Sequence, residues 1–181
     1  MASFTKKAIV QSFMELLGKK SIDKITVRDV VDHCGINRNT FYYYFQDIYA
    51  VLEEISRNVA DSLPSKAPLA DTFEAFFRGM WHFNAAHPRI TKGLLMSLGL
   101  DGMERYFAQD MDNVICACLV RSAGEDAWSP TQLKCATAFL RHAIFGSCID
   151  FLGFEKDDAF EKALSAVLQI LRDAEAHFAR K

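Results

Sequence analysis

The side chains whose chemistry is easiest to interpret lie close together between residues 37 and 43. Arginine and asparagine have donor and acceptor groups that match the edges of guanine and adenine, and threonine and tyrosine hydroxyls suit phosphate oxygens. If this stretch is helical, a rotation of about 100° per residue puts most of its polar side chains on one side. Together with one arginine before the stretch, these residue types predict a contact with double-stranded DNA made by Arg28, Asn37, Arg38, Asn39, Thr40, Tyr42 and Tyr43.

Two short helices joined by a glycine turn, from Ile25 to Phe45, would position these groups. Thr26 can cap the first helix, and Asp29 follows three residues later in nearly the arrangement of a capping box. Gly35 supplies the left-handed turn, and Asn37 can cap the second helix. The apolar side chains that would hold the pair together are Val27, Val30, Val31, Ile36, Phe41 and Phe45. This succession predicts a helix-turn-helix.

The same spacing has other interpretations. Helix-glycine-helix corners occur in many small helical proteins, and a run of tyrosines is more often core or interface than a nucleic-acid surface. One alternative is therefore a helical ligand-binding protein or enzyme that merely contains such a corner. Another is an adaptor that binds a partner protein without binding an operator. Spacing leaves these open, and the residue types favour DNA contact.

The segment from Thr5 to about Leu52 resembles the amino-terminal DNA-binding domain of the TetR family of bacterial transcription regulators. The resemblance rests on residues that occur in the family's order, namely Gly18, Thr26, Gly35, Ile36, Asn37, Thr40, Phe41, Tyr42 and Phe45. Two positions depart from the family pattern. Tyr44 stands where a histidine is common, and Ile48 stands where the family has a phosphate-contacting lysine. These departures predict weaker contacts with the DNA backbone.

The resemblance implies an all-α fold with about nine helices. A three-helix DNA-binding domain with a helix-turn-helix, residues 1–47, would precede an antiparallel helical ligand-binding and dimerisation domain, residues 48–181. The expected function is a ligand-responsive repressor that binds a palindromic operator as a homodimer, and a transcriptional activator of the same family is the alternative. The short carboxy-terminal region is similar to a compact branch that includes regulators of dihydroxyacetone kinase operons.

Composition and charge fit a helical protein with a slightly basic amino-terminal end. The chain has 181 residues, of which 50% are hydrophobic and 15 are Phe, enough for a core. Residues 1–47 hold seven Lys or Arg against five Asp or Glu, although the whole chain has a net charge of -2. Because so few cations would face phosphates, we expect DNA binding to need a dimer. No apolar run reaches the ~18 residues of a membrane span and no signal peptide is visible, so we expect a cytoplasmic bacterial protein without a membrane partner.

Cysteine and histidine are scattered along the chain. Cys116 and Cys118 are two residues apart on a predicted helix, so their side chains point about 200° from each other and cannot bind one ion together. The five cysteines are expected to be mostly buried free thiols. The sequence also contains no convincing catalytic triad, phosphate-binding glycine loop or carboxylate pair. We therefore expect no metal, no cofactor and no enzymatic activity.

Helical periodicity predicts further helices at residues 47–62, 69–86, 89–98, 100–122, 130–153 and 157–180. In the last helix, apolar residues alternate steps of four and three, which is a heptad seam, and the helix before it is apolar nearly all round. We expect these two helices to pair with their copies as a four-helix bundle, whereas packing within one chain is the alternative. The predicted dimer residues are Leu140, Ile144, Phe151, Phe160, Leu164, Val167, Leu171, Ala174 and Phe178.

A small-molecule effector of unidentified class is a further expected partner. The candidate pocket walls are Phe76, Met80, Trp81, Phe83, Met96, Tyr106, Phe139, His142 and Phe145. Aromatic residues at helical spacing form a core more often than a pocket, so both interpretations stay open. Arg141 and Asp150 stand out on an otherwise apolar helix, because a charge there must be paired, exposed or directed at a ligand.

Overall fold

The described part of the chain contains helices and no strands, in a computed structural model that describes residues 2–64, 66–124, 127–152 and 157–178. Its elements are α1 (Ala2–Leu17), a 3-10 helix (Ile22–Lys24), α2 (Val27–Cys34), α3 (Arg38–Tyr44), α4 (Ile48–Ser62), α5 (Leu69–Ala86), α6 (Pro88–Ala123), α7 (Pro130–Leu152) and α8 (Asp157–Phe178). The predicted all-α class is confirmed. The last residues of two predicted helices, 153 in one and 179–180 in the other, lie outside the described residues. None of the described helices is both long and apolar enough to cross a membrane.

The long helix α6 is interrupted at Gly99. There φ is 61° and ψ is -171°, a conformation that is essentially restricted to glycine. The interruption falls between the two stretches that the sequence predicts as separate helices, 89–98 and 100–122. The predicted break is therefore confirmed, and a glycine that the backbone requires is its cause.

The chain divides into two compact units, of which the first comprises the residues up to Val59 together with Asn84–Ala108. Phe13 and Phe41 are fully buried in it, and Ile90 at the start of α6 is 7% exposed. The rings of Tyr49 and Tyr106 are stacked, with centroids 5.3 Å apart and planes 7° from parallel. This stacking joins α4 to α6 within the first unit.

The second unit comprises Ala60–Phe83 together with the residues from Gln109 onward. Its core contains a cluster of aromatic rings from α5, α7 and α8. Phe151 lies 5.0 Å from Phe77 and 5.5 Å from Phe160, measured between ring centroids. Trp81 stacks on Phe160 at 4.4 Å. The apolar faces of these helices are thus buried against each other in a single copy.

Ion pairs connect the helices of the second unit. Arg78 donates hydrogen bonds to Glu161 at 2.6 Å and to Glu74 at 2.9 Å, so it joins α5 to α8. The hydrogen bond from Arg78 lowers the pKa of Glu161. Arg141 donates to Asp112 at 2.8 Å. The arginine on the apolar helix α7 is therefore paired with a neighbouring helix.

Candidate nucleic-acid interface

The first helix of the predicted helix-turn-helix starts at a complete capping box. The backbone N–H of Asp29 donates to the Thr26 hydroxyl at 3.2 Å, and the backbone N–H of Thr26 donates to the Asp29 carboxylate at 2.8 Å. The Lys20 ammonium lies 2.9 Å from the same carboxylate. The hydrogen bond from the Thr26 side chain, followed by that from Lys20, holds the pKa of Asp29 well below its usual range. The capping box predicted from the spacing is confirmed.

The turn and the second helix also follow the sequence prediction. Gly35 ends α2 with φ 71° and ψ 30°, the left-handed conformation. The Asn37 side-chain oxygen then caps α3 by accepting hydrogen bonds from the backbone N–H of Thr40 at 2.8 Å and from its hydroxyl at 3.0 Å. This contact leaves the Asn37 amide NH₂, a donor, available for another partner. Two side-chain caps thus set the start of both helices.

The predicted contact residues lie largely on the surface. Tyr42 is 55% exposed and Tyr43 is 79% exposed, while Arg28, Asn37, Arg38 and Asn39 are also exposed and Thr40 is half-buried. On the opposite side of α3, Phe41 is fully buried, and Phe45, the residue directly after the helix, is 4% exposed. One side of this helix therefore anchors it in the core, and the other carries the polar groups.

The basic residues of the first 47 positions fall into two classes. Three of them lie within 3.5 Å of a carboxylate: Lys6 pairs with Glu54, Lys20 with Asp29 and Arg28 with Asp32. The other four are exposed and form no ion pair with any residue that the structure describes: Lys7, Lys19, Lys24 and Arg38. The charge available to phosphate is therefore smaller than the sequence count, and Arg38 is the one unpaired cation on α3 among the described side chains.

The two departures from the family pattern occupy structural positions. Ile48 is 9% exposed, so its side chain faces the core. Tyr44 is half-buried, and its ring meets that of Tyr43 edge to face with centroids 4.9 Å apart. Asp47, which the sequence reasoning missed, caps α4 by accepting from the backbone N–H groups of Tyr49 and Ala50. Its position just before an apolar helical run was the available signal.

The residues predicted to line an effector pocket are spread over both units. Met96, 76% exposed, and Tyr106 belong to the first unit. In the second unit, Phe76, Met80 and Trp81 pack against the core, Phe145 is buried, Phe83 is half-buried and His142 is exposed. The second unit also contains a cavity of about 150 Å³, and Phe139 is the predicted pocket residue that lines it. The effector site stays a prediction.

Most of the residues predicted for the dimer contact pack inside their own unit. The buried ones are Ile144, Phe151, Phe160, Leu164 and Leu171. Leu140 and Val167 pack partly buried against the same core, and Ala174 lines the cavity. The side chain of Phe178 lies outside the described part of the structure. Dimerisation through these helices stays a prediction.

A different side of α7 and α8 is apolar and exposed. Phe139 is 73% exposed and Ile170 is 68% exposed, whereas large apolar side chains are usually buried. Exposed small residues lie on the same sides of the two helices: Ala143 and Gly146 on α7, Ala159 and Ala166 on α8. We call these six residues the exposed apolar face.

The cysteines are free thiols, as the sequence predicts, although their burial varies. Cys118 and Cys148 are buried, Cys34 and Cys116 are half-buried, and Cys135 is exposed. Burial raises the pKa of the Cys148 thiol. Within the described residues, no group of three or more histidine, cysteine or acidic side chains is arranged to hold a metal ion.

Comparison with known proteins links the helix-turn-helix segment to one family. Residues 9–55 match the model of bacterial regulatory proteins of the tetR family. A stretch of 51 residues is 33% identical to YvdT, an uncharacterized HTH-type transcriptional regulator of Bacillus subtilis (strain 168). That alignment covers 28% of this chain and 26% of YvdT, so the chain matches about a quarter of this relative's length.

Solved structures are similar over nearly the whole chain. A protein described as a TetR-family transcriptional regulator from Syntrophomonas wolfei has a TM-score of 0.68 and 14% identity, with 97% of each chain covered. The dihydroxyacetone kinase operon activator DhaS has a TM-score of 0.61 and 15% identity, with 97% of this chain and 96% of DhaS covered. At these identities the likeness concerns the fold, and it extends beyond the segment that the family model matches.

Proposed function

We propose that this chain, whose residues 9–55 match the model of the tetR family of bacterial regulatory proteins, is a transcription regulator of that family and places α3 in the major groove of DNA. The observation that carries the proposal is the polar, exposed side of α3. The fully buried Phe41 anchors this helix in the core, and the side chain of Asn37 caps its amino-terminal end.

The proposed contacts divide by chemistry. Arg38 and Asn39 lie at the amino-terminal end of α3, where recognition helices usually contact base edges, and they have the side chains that suit guanine and adenine. The hydroxyls of Tyr42 and Tyr43 suit phosphates on either side of the groove. The Asn37 NH₂ group can donate to a phosphate, because its oxygen is already used as the helix cap. Arg28 is 76% exposed beside Asp32, so a phosphate can compete for it.

Selection of bound DNA from a random pool tests this proposal most directly. The expected result is a roughly palindromic sequence whose half-sites are about one helical turn apart, since a two-fold dimer presents two copies of α3. Arg38→Ala should cost about 1–3 kcal/mol of binding and relax the base preference at one position. Tyr42→Ala should weaken binding to all sequences alike.

Arg105→Ala is the matched control, because Arg105 is an exposed arginine of the first unit outside the helix-turn-helix. Its operator affinity and salt dependence should equal those of the parent. If the Arg38→Ala and Tyr42→Ala proteins bind the operator with the same affinity as the parent, DNA binding through α3 is contradicted. An enriched DNA sequence without palindromy would contradict binding as a symmetric dimer.

We propose that the chain forms a homodimer through the exposed apolar face of α7 and α8. Phe139 is 73% exposed and Ile170 is 68% exposed, and burying these large apolar side chains against a second copy would lower the free energy of the dimer. The small residues around them allow two helices to approach closely. Each copy has few unpaired cations to contact phosphates. Two helix-turn-helix segments joined in one dimer would therefore bind an operator more tightly than one alone.

A pair of substitutions on α8 tests the dimer. Ile170→Asp should give a folded monomer in sedimentation equilibrium at micromolar concentration, because it places a charge in the proposed contact. Ser165→Asp is the control, since Ser165 is exposed on the opposite side of the same helix. A parent protein that sediments as a monomer contradicts the proposal. So does an Ile170→Asp protein that stays dimeric.

We propose that the regulator is a repressor that releases its operator when a small molecule binds the second unit. Repression is typical of the tetR family, and the second unit contains a cavity. The test is a reporter whose promoter overlaps the selected operator. Expression should fall when the protein is present, and an increase would indicate activation instead.

A further inference from the structure

The cavity of the second unit lies among four helices and the segment before α7. The residues that line it are predominantly aliphatic or aromatic and include Leu69, Leu119, Trp128, Ala136, Leu140 and Ala174. Leu69 and Leu119 are buried at 2% exposure, whereas Phe139, also part of the lining, is 73% exposed. The cavity therefore has a buried interior and an exposed aromatic side chain at its boundary.

The lining determines which ligand chemistry the cavity accepts. None of the described residues that line it is charged. Ser122 has the one hydroxyl among them, and it donates to the Cys118 carbonyl at 3.0 Å. A charged ligand would lose its hydration there without gaining a counter-charge, which is costly. The lining thus favours an uncharged, apolar molecule.

The size of the cavity limits the ligand further. A volume of about 150 Å³ is well below the roughly 300–1,000 Å³ of pockets that hold drug-sized compounds. Apolar cavities of about 150 Å³ stay dry and bind benzene or xenon. A single-ring hydrocarbon, or an uncharged molecule of similar size, therefore fits.

Phe139 connects the cavity to the surface that the dimer would use. Its side chain lines the cavity and is also one of the two large members of the exposed apolar face. A ligand in the cavity would contact this side chain directly. If the ligand binds with different affinity to two arrangements of Phe139, it shifts their populations and alters the dimer contact.

We propose that the cavity lined by Trp128, Ala136, Phe139 and Ala174 binds a small uncharged hydrocarbon or similarly apolar molecule, and that this molecule is the effector. The effector role rests on the proposed function, whereas the binding site and its ligand class do not. The site differs from the set of pocket walls predicted by sequence, of which it includes Phe139 alone.

Binding is tested on the full-length chain with toluene as the probe. The chain has two tryptophans, and a Trp81→Phe background leaves Trp128, in the cavity lining, as the single tryptophan whose fluorescence is followed. Toluene should change this fluorescence saturably, with the same dissociation constant by calorimetry. Benzoate has the same ring with a charge, and it should bind at least about tenfold more weakly.

Two filling variants on different helices locate the site. Ala136→Leu on α7 and Ala174→Leu on α8 should each lower toluene affinity at least about tenfold, because the added atoms occupy the cavity. Ala75→Leu, on an exposed position of α5 outside the lining, should bind toluene as the parent does. Two positions keep the test decisive if one variant fails to fold.

Absence of saturable binding by the parent overturns the site, and equal binding of benzoate overturns the ligand class. Undiminished binding by folded filling variants overturns the location. Saturating toluene should change operator affinity by about fivefold or more in the parent and leave that of Ala136→Leu unchanged. Bound toluene without any change in the parent overturns the effector role. If the parent protein does not bind the operator even when toluene is absent, the proposed function is contradicted, and the conclusion that the cavity binds toluene still stands.

Discussion

Gly35 allows a sharp test of how the turn of the helix-turn-helix is stabilised. Its φ of 71° lies in the left-handed region, and a Cβ added there would meet no atom within 4 Å. Gly35→Ala therefore changes the backbone energy without creating a clash. A residue with a Cβ in this region costs about 1–2 kcal/mol, so the free energy of unfolding should fall by about that amount. Gly35→Asn should cost less, since asparagine tolerates the left-handed region.

Gly93 provides the matched control within the same compact unit. It lies inside the helical part of α6 before the Gly99 interruption, and a Cβ added there would also meet no atom within 4 Å. Because its φ is not positive, Gly93→Ala should raise the free energy of unfolding by about 0.5–1 kcal/mol through lower entropy of the unfolded chain. The same substitution from glycine to alanine, without a steric clash at either position, should thus change the free energy of unfolding in opposite directions.

Urea unfolding followed by far-ultraviolet circular dichroism measures both effects. The two alanine variants should differ by about 1.5–3 kcal/mol, from the sum of the two estimates. Both tryptophans belong to the second unit, so tryptophan fluorescence separately follows the unit in which neither substitution lies. If both alanine variants shift stability in the same direction, the argument from the sign of φ is wrong.

Two further predictions concern charged residues. The hydrogen bonds of the capping box, led by that from the Thr26 hydroxyl, lower the pKa of Asp29, so its carboxylate contributes stability above about pH 4 that is lost as pH falls toward the folded-state pKa. The urea midpoint of Asp29→Asn should therefore depend less on pH in this acidic range than the midpoint of the parent. An equal dependence of the two midpoints on pH would contradict this role of Asp29. Arg141 is 14% exposed and lies 2.8 Å from Asp112, whereas Arg172 is 49% exposed and lies 3.7 Å or more from its acids. Arg141→Met should lower the free energy of unfolding by about 1–3 kcal/mol and Arg172→Met by less than about 1 kcal/mol, and a reversed order in urea unfolding would refute the role of burial.

The helix-turn-helix could be predicted because its determinants are local in the sequence. The cap at Thr26 needs an acid three residues later, the turn at Gly35 needs a residue that tolerates positive φ, and the cap at Asn37 needs a short polar acceptor. Each condition concerns residues within one helical turn. The interruption of α6 at Gly99 is local in the same sense, since glycine alone adopts that backbone conformation readily.

The charge of the interface could not be predicted in the same way. Sequence counting treats Lys6 and Lys7 alike, yet Lys6 lies 2.7 Å from Glu54 and 5.8 Å from the centre of the Phe45 ring, while Lys7 is exposed and unpaired among the described residues. The partner of Lys6 is far away in the chain and reaches it only through the packing of α1 on α4. The cations left for DNA therefore depend on tertiary contacts.

The heptad pattern of α8 has the same limitation, with a consequence for the dimer. Steps of four and three establish that one side of a helix is apolar, and they do not specify whether that side meets its own chain or a copy. Phe160, Leu164 and Leu171 meet the core of their own unit. Ile170, by contrast, is 68% exposed and lies about 100° around the helix from Leu171, on the same side as the exposed Ala166. If two copies pair through this side, α8 needs two apolar directions, one for each partner. A charge at position 170 should then separate the copies without unfolding either, whereas a charge at position 164 should unfold the unit itself.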